Sequence, residues 1–182
     1  MNRTLTKLLN KEHICLQYRE FEKDLLGCYY SKNNRHLIII NSLIVDDKKL
    51  YNTILLEELG HYFTSIGDAI LQSHNSCRDN LKHLKSENTA LKWAVNFFIP
   101  TSELLAYFNS NYNVISIINL SDYFEVTEDF INAKFYYMSL EKNTYCIKEN
   151  IYLSLCNLPN IYVYENYEGR HTDGHNWKTW WK

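Results

Sequence analysis

Residues 46–64 read DDKKLYNTILLEELGHYFT, and this stretch decides the fold. Projected at about 100° per residue, its apolar side chains fall into one broad arc, which predicts a largely buried helix. The arc consists of Leu50, Tyr51, Ile54, Leu55, Leu59 and Tyr62. Asp46 and Asp47 place negative charge at the start of this helix, where the helix dipole favours it. We therefore expect a largely buried helix over residues 46–64.

Three ionisable side chains lie on one flank of this helix. Glu58 falls inside the apolar arc, His61 lies within its edge, and Glu57 stands one step outside. Such groups are rarely buried without partners, because an unpaired charge in a poorly solvated place costs several kcal/mol. Some partner must therefore compensate them.

Glu57 and His61 are four residues apart, a spacing that lets a carboxylate and an imidazole bind one metal ion from the same face. Glu58 stands about 100° around the helix. This is the geometry of the H-E-x-x-H motif, in which the flanking residues bind zinc and the Glu takes a proton from water at the metal. Here Glu57 replaces the first histidine. The spacing alone also fits an ordinary contact between a Glu and a His one turn apart.

Two further features favour a metal site. Gly60 in the middle of a helix costs about 1 kcal/mol relative to Ala, which makes sense if another backbone approaches there. Glu87 lies one turn before the apolar residues of the next predicted helix and so points toward the same interior. Those apolar residues are Ala90, Leu91, Ala94 and Phe98. Glu87 is therefore a candidate third ligand.

The pattern along the chain predicts an α+β fold that is rich in helix, with a small antiparallel sheet near the site helix. The predicted helices span 3–21, 46–64, 79–99, 101–108, 115–124 and 127–140, and Pro100 ends the third. Residues 25–30 and 36–41 predict a hairpin, and a polar loop is expected over 66–76. Residues 145–156 and 161–164 suit either a hairpin or an irregular segment.

Composition and charge exclude several classes of protein. The chain has 19 Lys plus Arg against 21 Asp plus Glu, which disfavours a sequence-independent grip on nucleic-acid phosphates. Its polar N-terminus and short aliphatic runs predict a cytoplasmic protein with no signal peptide and no membrane span. Its five cysteines are odd in number and form no C-x-x-C pair, which predicts reduced structural thiols.

The chain resembles the ImmA/IrrE family of metallopeptidases, in particular the short members found on phages and integrative elements. The resemblance spans about residues 25–138. Three stretches carry it: LEELGHYFT at 56–64, ENTALKWA at 87–94 running on to Ile99 and Pro100, and LSDYFEVTEDF at 120–130.

The resemblance implies a zincin-like fold in which Glu57, His61 and Glu87 bind Zn²⁺ and Glu58 is the general base. His83, one turn before Glu87, is the alternative third ligand. Better-known members have His at the first position. Two carboxylates and one imidazole cancel the charge of a divalent ion, so we expect weaker Lewis acidity than at a site with two histidines, and tolerance of Mn²⁺ or Fe²⁺.

The implied function is cleavage of a helix-turn-helix repressor of a mobile genetic element by a zinc-dependent endopeptidase. We expect the substrate strand to pair with the sheet edge at 35–41. A non-catalytic module of the same fold, which regulates a repressor by contact alone, is the rival interpretation. The predicted organisation is a zincin-like domain over 1–142 and an appendage with an aromatic tail over 143–182.

Two minor interpretations concern the tail. Glu58 to His61 also fits the Glu-x-x-His spacing of a di-iron carboxylate site, but such a site needs a second copy on another core helix. The only other match in the sequence, from Glu168 to His171, lies in a Gly-containing stretch. His171, Asp173 and His175 also stand close to three tryptophans, at 177, 180 and 181. An arm that docks its tryptophans on this protein or on a partner is the favoured interpretation there.

Overall fold

The computed structural model of the protein describes residues 3–22, 24–65, 77–111 and 116–166, with the side chains of 77–82 excepted. The described residues form an α+β structure with six helices and two three-stranded sheets. They pack as two compact units, one comprising Met1–Phe98 with Glu125–Thr127 and the other Ile99–Phe124 with Glu128–Lys182. This division concerns packing, and the domain boundary expected after residue 142 stays a prediction.

The first unit contains the predicted site helix and a mixed sheet. Its elements are α1 (Arg3–Lys11), β1 (Cys15–Arg19), β2 (Gly27–Lys32), β3 (Arg35–Asn41), a 3-10 turn (Ser42–Ile44), α2 (Lys48–Thr64) and α3 (Cys77–Phe98). β2 and β3 form the expected antiparallel hairpin, and β1 pairs parallel with β3 on its other side. The expected loop at 66–76 lies outside the described residues.

The helix predicted over 3–21 is wrong in its second half, where the chain forms β1. α1 ends in a Schellman motif: His13 has a φ of 54°, its N–H donates to Asn10 O at 3.3 Å, and Ile14 N–H donates to Leu9 O at 3.0 Å. Ile14 and Leu9 are both buried, which fixes the turn. Pairing with β3, far along the sequence, then decides the conformation of 15–19.

The prediction that a substrate strand pairs with residues 35–41 is also wrong. Those residues form β3, the central strand of the order β1-β3-β2. Its hydrogen-bonding groups are paired on both sides, so no further strand can add there. β1 and β2 are the edges of this sheet.

α2 begins at Lys48, two residues after the start of the predicted helix, and is buried along most of its length. The Asp47 carboxylate caps the helix by accepting from Leu50 N–H at 3.0 Å. Leu55, Leu56 and Leu59 are fully buried. β2 packs closely on this helix: a Cβ at Gly27 would lie 2.6 Å from Ile54 Cγ2. The hairpin is thus held directly over α2.

The segment Glu125–Thr127 packs with the first unit because α2 binds it. Asn52 Nδ2 donates to Glu125 O at 2.9 Å, and Thr127 N–H donates to Thr53 Oγ1 at 3.0 Å. Lys48 also forms an ion pair with Glu125. Buried polar groups of the site helix are therefore used to hold this segment.

The second unit contains the remaining helices and a second sheet. Its elements are α4 (Thr101–Asn111), α5 (Ile117–Phe124), α6 (Glu128–Glu141), β4 (Thr144–Lys148), β5 (Ile151–Asn157) and β6 (Asn160–Glu165). The three strands form an antiparallel sheet in the order β4-β5-β6, so the segment that the sequence left open is a meander.

The tail beyond residue 166, with Glu168 to His171 and the tryptophans, lies outside the described residues. Within the described part, every helix is too short or too polar to cross a lipid bilayer.

α2 and α3 approach each other closely at Gly60. A Cβ placed on Gly60 would lie 2.3 Å from Ala90 O and 2.8 Å from Ala90 C, distances that real Cβ atoms do not reach. The neighbour is backbone, which cannot move away as the end of a side chain can. The glycine is therefore required by the contact, as expected from its cost in a helix.

We predict that Gly60→Ala destabilises the protein by about 1–3 kcal/mol through overpacking. Helix propensity alone predicts the opposite sign, a gain of about 1 kcal/mol. Urea unfolding of both proteins measures the difference, and Lys92→Ala on the exposed side of α3 is the control, with a change within about 0.5 kcal/mol. A Gly60→Ala protein as stable as the parent would contradict the close approach.

Candidate metal and catalytic site

The approach of α2 to α3 brings His61 and Glu87 into direct contact. His61 Nε2 lies 3.3 Å from Glu87 Oε2, within hydrogen-bonding distance. The His61 side chain is 17% exposed and that of Glu87 is 47% exposed. The contact therefore joins a mostly buried imidazole to a half-exposed carboxylate. The acidic group expected from the later helix therefore does reach the imidazole.

Glu87 also contacts His83, the alternative ligand. Its Oε1 lies 3.2 Å from His83 Nδ1, one helical turn earlier on α3. Glu87 thus stands between the two imidazoles, with one carboxylate oxygen toward each. Of the two candidates for the third ligand, Glu87 is the one whose contact with His61 the structure defines.

Glu57 has an elevated proton affinity because it is largely buried. Burial is the largest cause that raises the pKa of its carboxyl to about 7; the negative charge of Glu87 also raises the pKa, and His61 lowers it. Glu57 therefore senses both of the other groups proposed as metal ligands. Its side chain is partly buried.

Glu58 is the most deeply buried acid of the group. Burial is the largest cause that raises its pKa to about 7, and Glu57 and Glu87 add to the rise. His61 and a backbone hydrogen bond from Tyr29 favour its charged form. β2 holds it closely, since a Cβ at Gly27 would lie 3.3 Å from Glu58 Oε1. A side-chain position this constrained is suited to directed proton transfer.

His61 is the shared counter-charge of the three acids. Burial alone would lower its pKa, but Glu87, Glu58 and Glu57 together outweigh burial and raise it. Among the described residues, no other cationic side chain lowers the pKa of Glu57 or Glu58. Glu57 and Glu58 therefore depend on the imidazole of His61, which also contacts Glu87.

Glu57, His61 and Glu87 have the kinds of side chain that bind divalent cations. Carboxylate oxygens and a neutral imidazole bind Zn²⁺, Mn²⁺ or Fe²⁺, and a cation would relieve the repulsion among the acids. In the described part of the chain, however, no three His, Cys, Asp or Glu side chains surround a common point as they stand. His61 and Glu87 contact each other directly at 3.3 Å.

No protein-family model matches this chain, and neither a curated protein nor a solved structure matches it.

The structure adds a half-buried ring cluster beside Glu58 that the sequence analysis did not assign. Tyr29 OH lies 2.8 Å from His36 Nδ1, and the ring of Tyr62 packs edge-on against both. Tyr62 OH donates to Glu12 at 3.1 Å. The alternation of Tyr29 and Ser31, with His36 opposite Ser31 in the hairpin, is the signal that places these side chains on one face.

We predict that the metal-free protein loses stability as the pH rises from about 5 to 8. Because the pKa of Glu57 and Glu58 is about 7 when folded and 4.5 ordinarily, the folded state binds more protons in this range, so the free energy of unfolding falls with pH. His61, whose pKa is also raised, acts with the same sign. The expected fall is on the order of 2 kcal/mol.

Urea unfolding at several pH values after chelator treatment measures this slope. Glu58→Gln should flatten it and should be more stable than the parent at pH 8, whereas Glu22→Gln, at an exposed position, should leave the slope unchanged. A slope that is zero or rises with pH in the parent protein would contradict the burial of these acids.

Proposed function

We propose that this protein is a metallo-endopeptidase of the ImmA/IrrE type in which Glu57, His61 and Glu87 bind a divalent cation, Zn²⁺ in the first instance. The observation that carries the proposal is the contact of Glu87 with His61 at 3.3 Å, next to a partly buried Glu58 whose pKa is about 7. An ordinary surface pair of Glu and His would not explain the second and third acids beside it.

The bound cation supplies Lewis acidity, which polarises the scissile carbonyl and makes water more acidic. Glu58 takes the proton from the attacking water and delivers it to the leaving amine. A pKa of about 7 suits both steps, because the group accepts and releases a proton near neutral pH. The Tyr29 backbone and Gly27 hold its carboxylate in place.

We place the substrate along β2. β2 is an edge strand of the sheet, and the Tyr29 backbone that bonds to Glu58 belongs to it. A peptide added as a strand at this edge runs past the Glu58 carboxylate, and its own backbone hydrogen bonds would orient it. This position replaces the pairing with residues 35–41 that the sequence suggested.

The substrate class follows from the resemblance alone. Members of this kind act on helix-turn-helix repressors of mobile elements, and we extend that substrate to this chain as part of the proposal. Cytoplasmic location belongs to the same proposal.

We predict that Zn²⁺ raises the thermal unfolding midpoint of the chelator-treated protein. A ligand at 100 times its Kd adds about 2.7 kcal/mol to the free energy of unfolding. His61→Ala and Glu87→Gln should abolish most of the shift, and His13→Asn, at an exposed turn position, should keep it. Absence of any shift with Zn²⁺ and with Mn²⁺ would contradict the proposed ligands.

We predict that Glu58→Gln cuts a helix-turn-helix repressor encoded beside this gene at least about 100-fold more slowly than the parent, because general-base catalysis is lost. Glu22→Gln is the matched control, and mass spectrometry of the fragments is the measurement. Zn²⁺ binding by Glu58→Gln should persist. If the parent binds the repressor without cutting it, and Glu58→Gln still relieves repression, the contact-only module is the correct function.

A further inference from the structure

The carboxylate of Glu87 contacts two imidazoles, and the proposed function uses only one of them. Oε2 lies 3.3 Å from His61 Nε2 on the neighbouring helix α2, and Oε1 lies 3.2 Å from His83 Nδ1, one turn earlier on α3. The proposed metal site takes His61 and Glu87 as ligands and leaves His83 without a role. The contact of His83 with Oε1 therefore needs an explanation of its own.

The backbone near Glu87 is held more firmly than the Glu87 side chain. One turn further along α3, the Ala90 carbonyl packs directly against Gly60, which fixes the helix in place. The Glu87 side chain, in contrast, is 47% exposed and has several rotatable bonds. A ligand of this kind loses side-chain freedom when it binds a cation, unless a second contact already restricts it. His83 provides such a contact from the same helix.

We infer that His83 is a positioning residue, which holds the Glu87 carboxylate in the orientation that the proposed metal site uses. An imidazole N–H donates and a carboxylate accepts, so His83 engages Oε1 and leaves Oε2 facing His61. Carboxylate ligands of metal ions are commonly hydrogen-bonded in this way, and removal of the partner lowers metal affinity by about 10- to 100-fold. This role rests on the proposed function, because it requires Glu87 to be a ligand.

Two other roles of His83 lead to different expectations for metal affinity. An ordinary contact between exposed His and Glu side chains one turn apart would change the affinity by about twofold at most. If His83 were itself a ligand, the alternative that the sequence left open, it would contribute whether or not Glu87 is present. A positioning residue acts through Glu87, so its removal matters only while Glu87 is there.

The test is a double-mutant cycle on the full chain, with the Kd of Zn²⁺ measured in competition with a chelating dye. His83→Leu should weaken Zn²⁺ binding at least about 10-fold. In the Glu87→Gln background the same change should alter the Kd by less than about twofold. His83→Gln should keep most of the affinity, because its amide N–H can still donate to Oε1, whereas an amide replaces an imidazole ligand of zinc poorly.

The matched control is Thr89→Val, at an exposed position of the same helix, which should leave the Kd within about twofold. Because the His83 side chain is 46% exposed, its replacement should leave the metal-free protein folded, and the thermal unfolding midpoint checks this. A change below about twofold for His83→Leu would overturn the inference, as would equal losses with and without Glu87. Those results leave Zn²⁺ binding by the parent intact, whereas a parent that binds neither Zn²⁺ nor Mn²⁺ would overturn the proposed function as well.

Discussion

The contact between the backbones of α2 and α3 at Gly60 and Ala90 is the constraint on which the site depends. Only a residue without a Cβ permits it, because the Ala90 carbonyl would otherwise lie 2.3 Å from a methyl carbon. Helices this close allow the Glu87 side chain to reach across to His61. A bulkier residue at position 60 would push α3 away from α2. His61 and Glu87 would then be separated even though neither residue had been changed.

The same packing explains the electrostatics. β2 covers Glu58 on one side of α2, and α3 brings the negative charge of Glu87 from the other. Each acid is thus desolvated and placed beside like charges, which makes a carboxylate hard to keep ionised without a cation. The imidazole of His61 is the only positive group that the described residues offer to Glu57 and Glu58. The divalent ion that we propose would relieve this repulsion, and without a cation the acids favour their protonated forms.

The sequence predicted the parts of the structure whose causes are local. The apolar arc and the negative charge of Asp46 and Asp47 predicted α2, and Gly60 and Glu87 indicated where α3 approaches it. The interactions that it missed are non-local. Residues 15–19 are a strand only because they pair with β3, and that pairing leaves β1 and β2, not β3, as the edges of the sheet. The partnership of Tyr29 with His36 also becomes visible only when the register of the hairpin is known.

Anomalous X-ray diffraction at the zinc edge, from crystals grown with Zn²⁺, tests the central claim most directly. The account predicts one strong peak bounded by Glu57, His61 and Glu87, with the Glu58 carboxylate beside it rather than bound to it. A map with no peak there, or with the His61–Glu87 hydrogen bond intact and zinc bound elsewhere, would contradict the account.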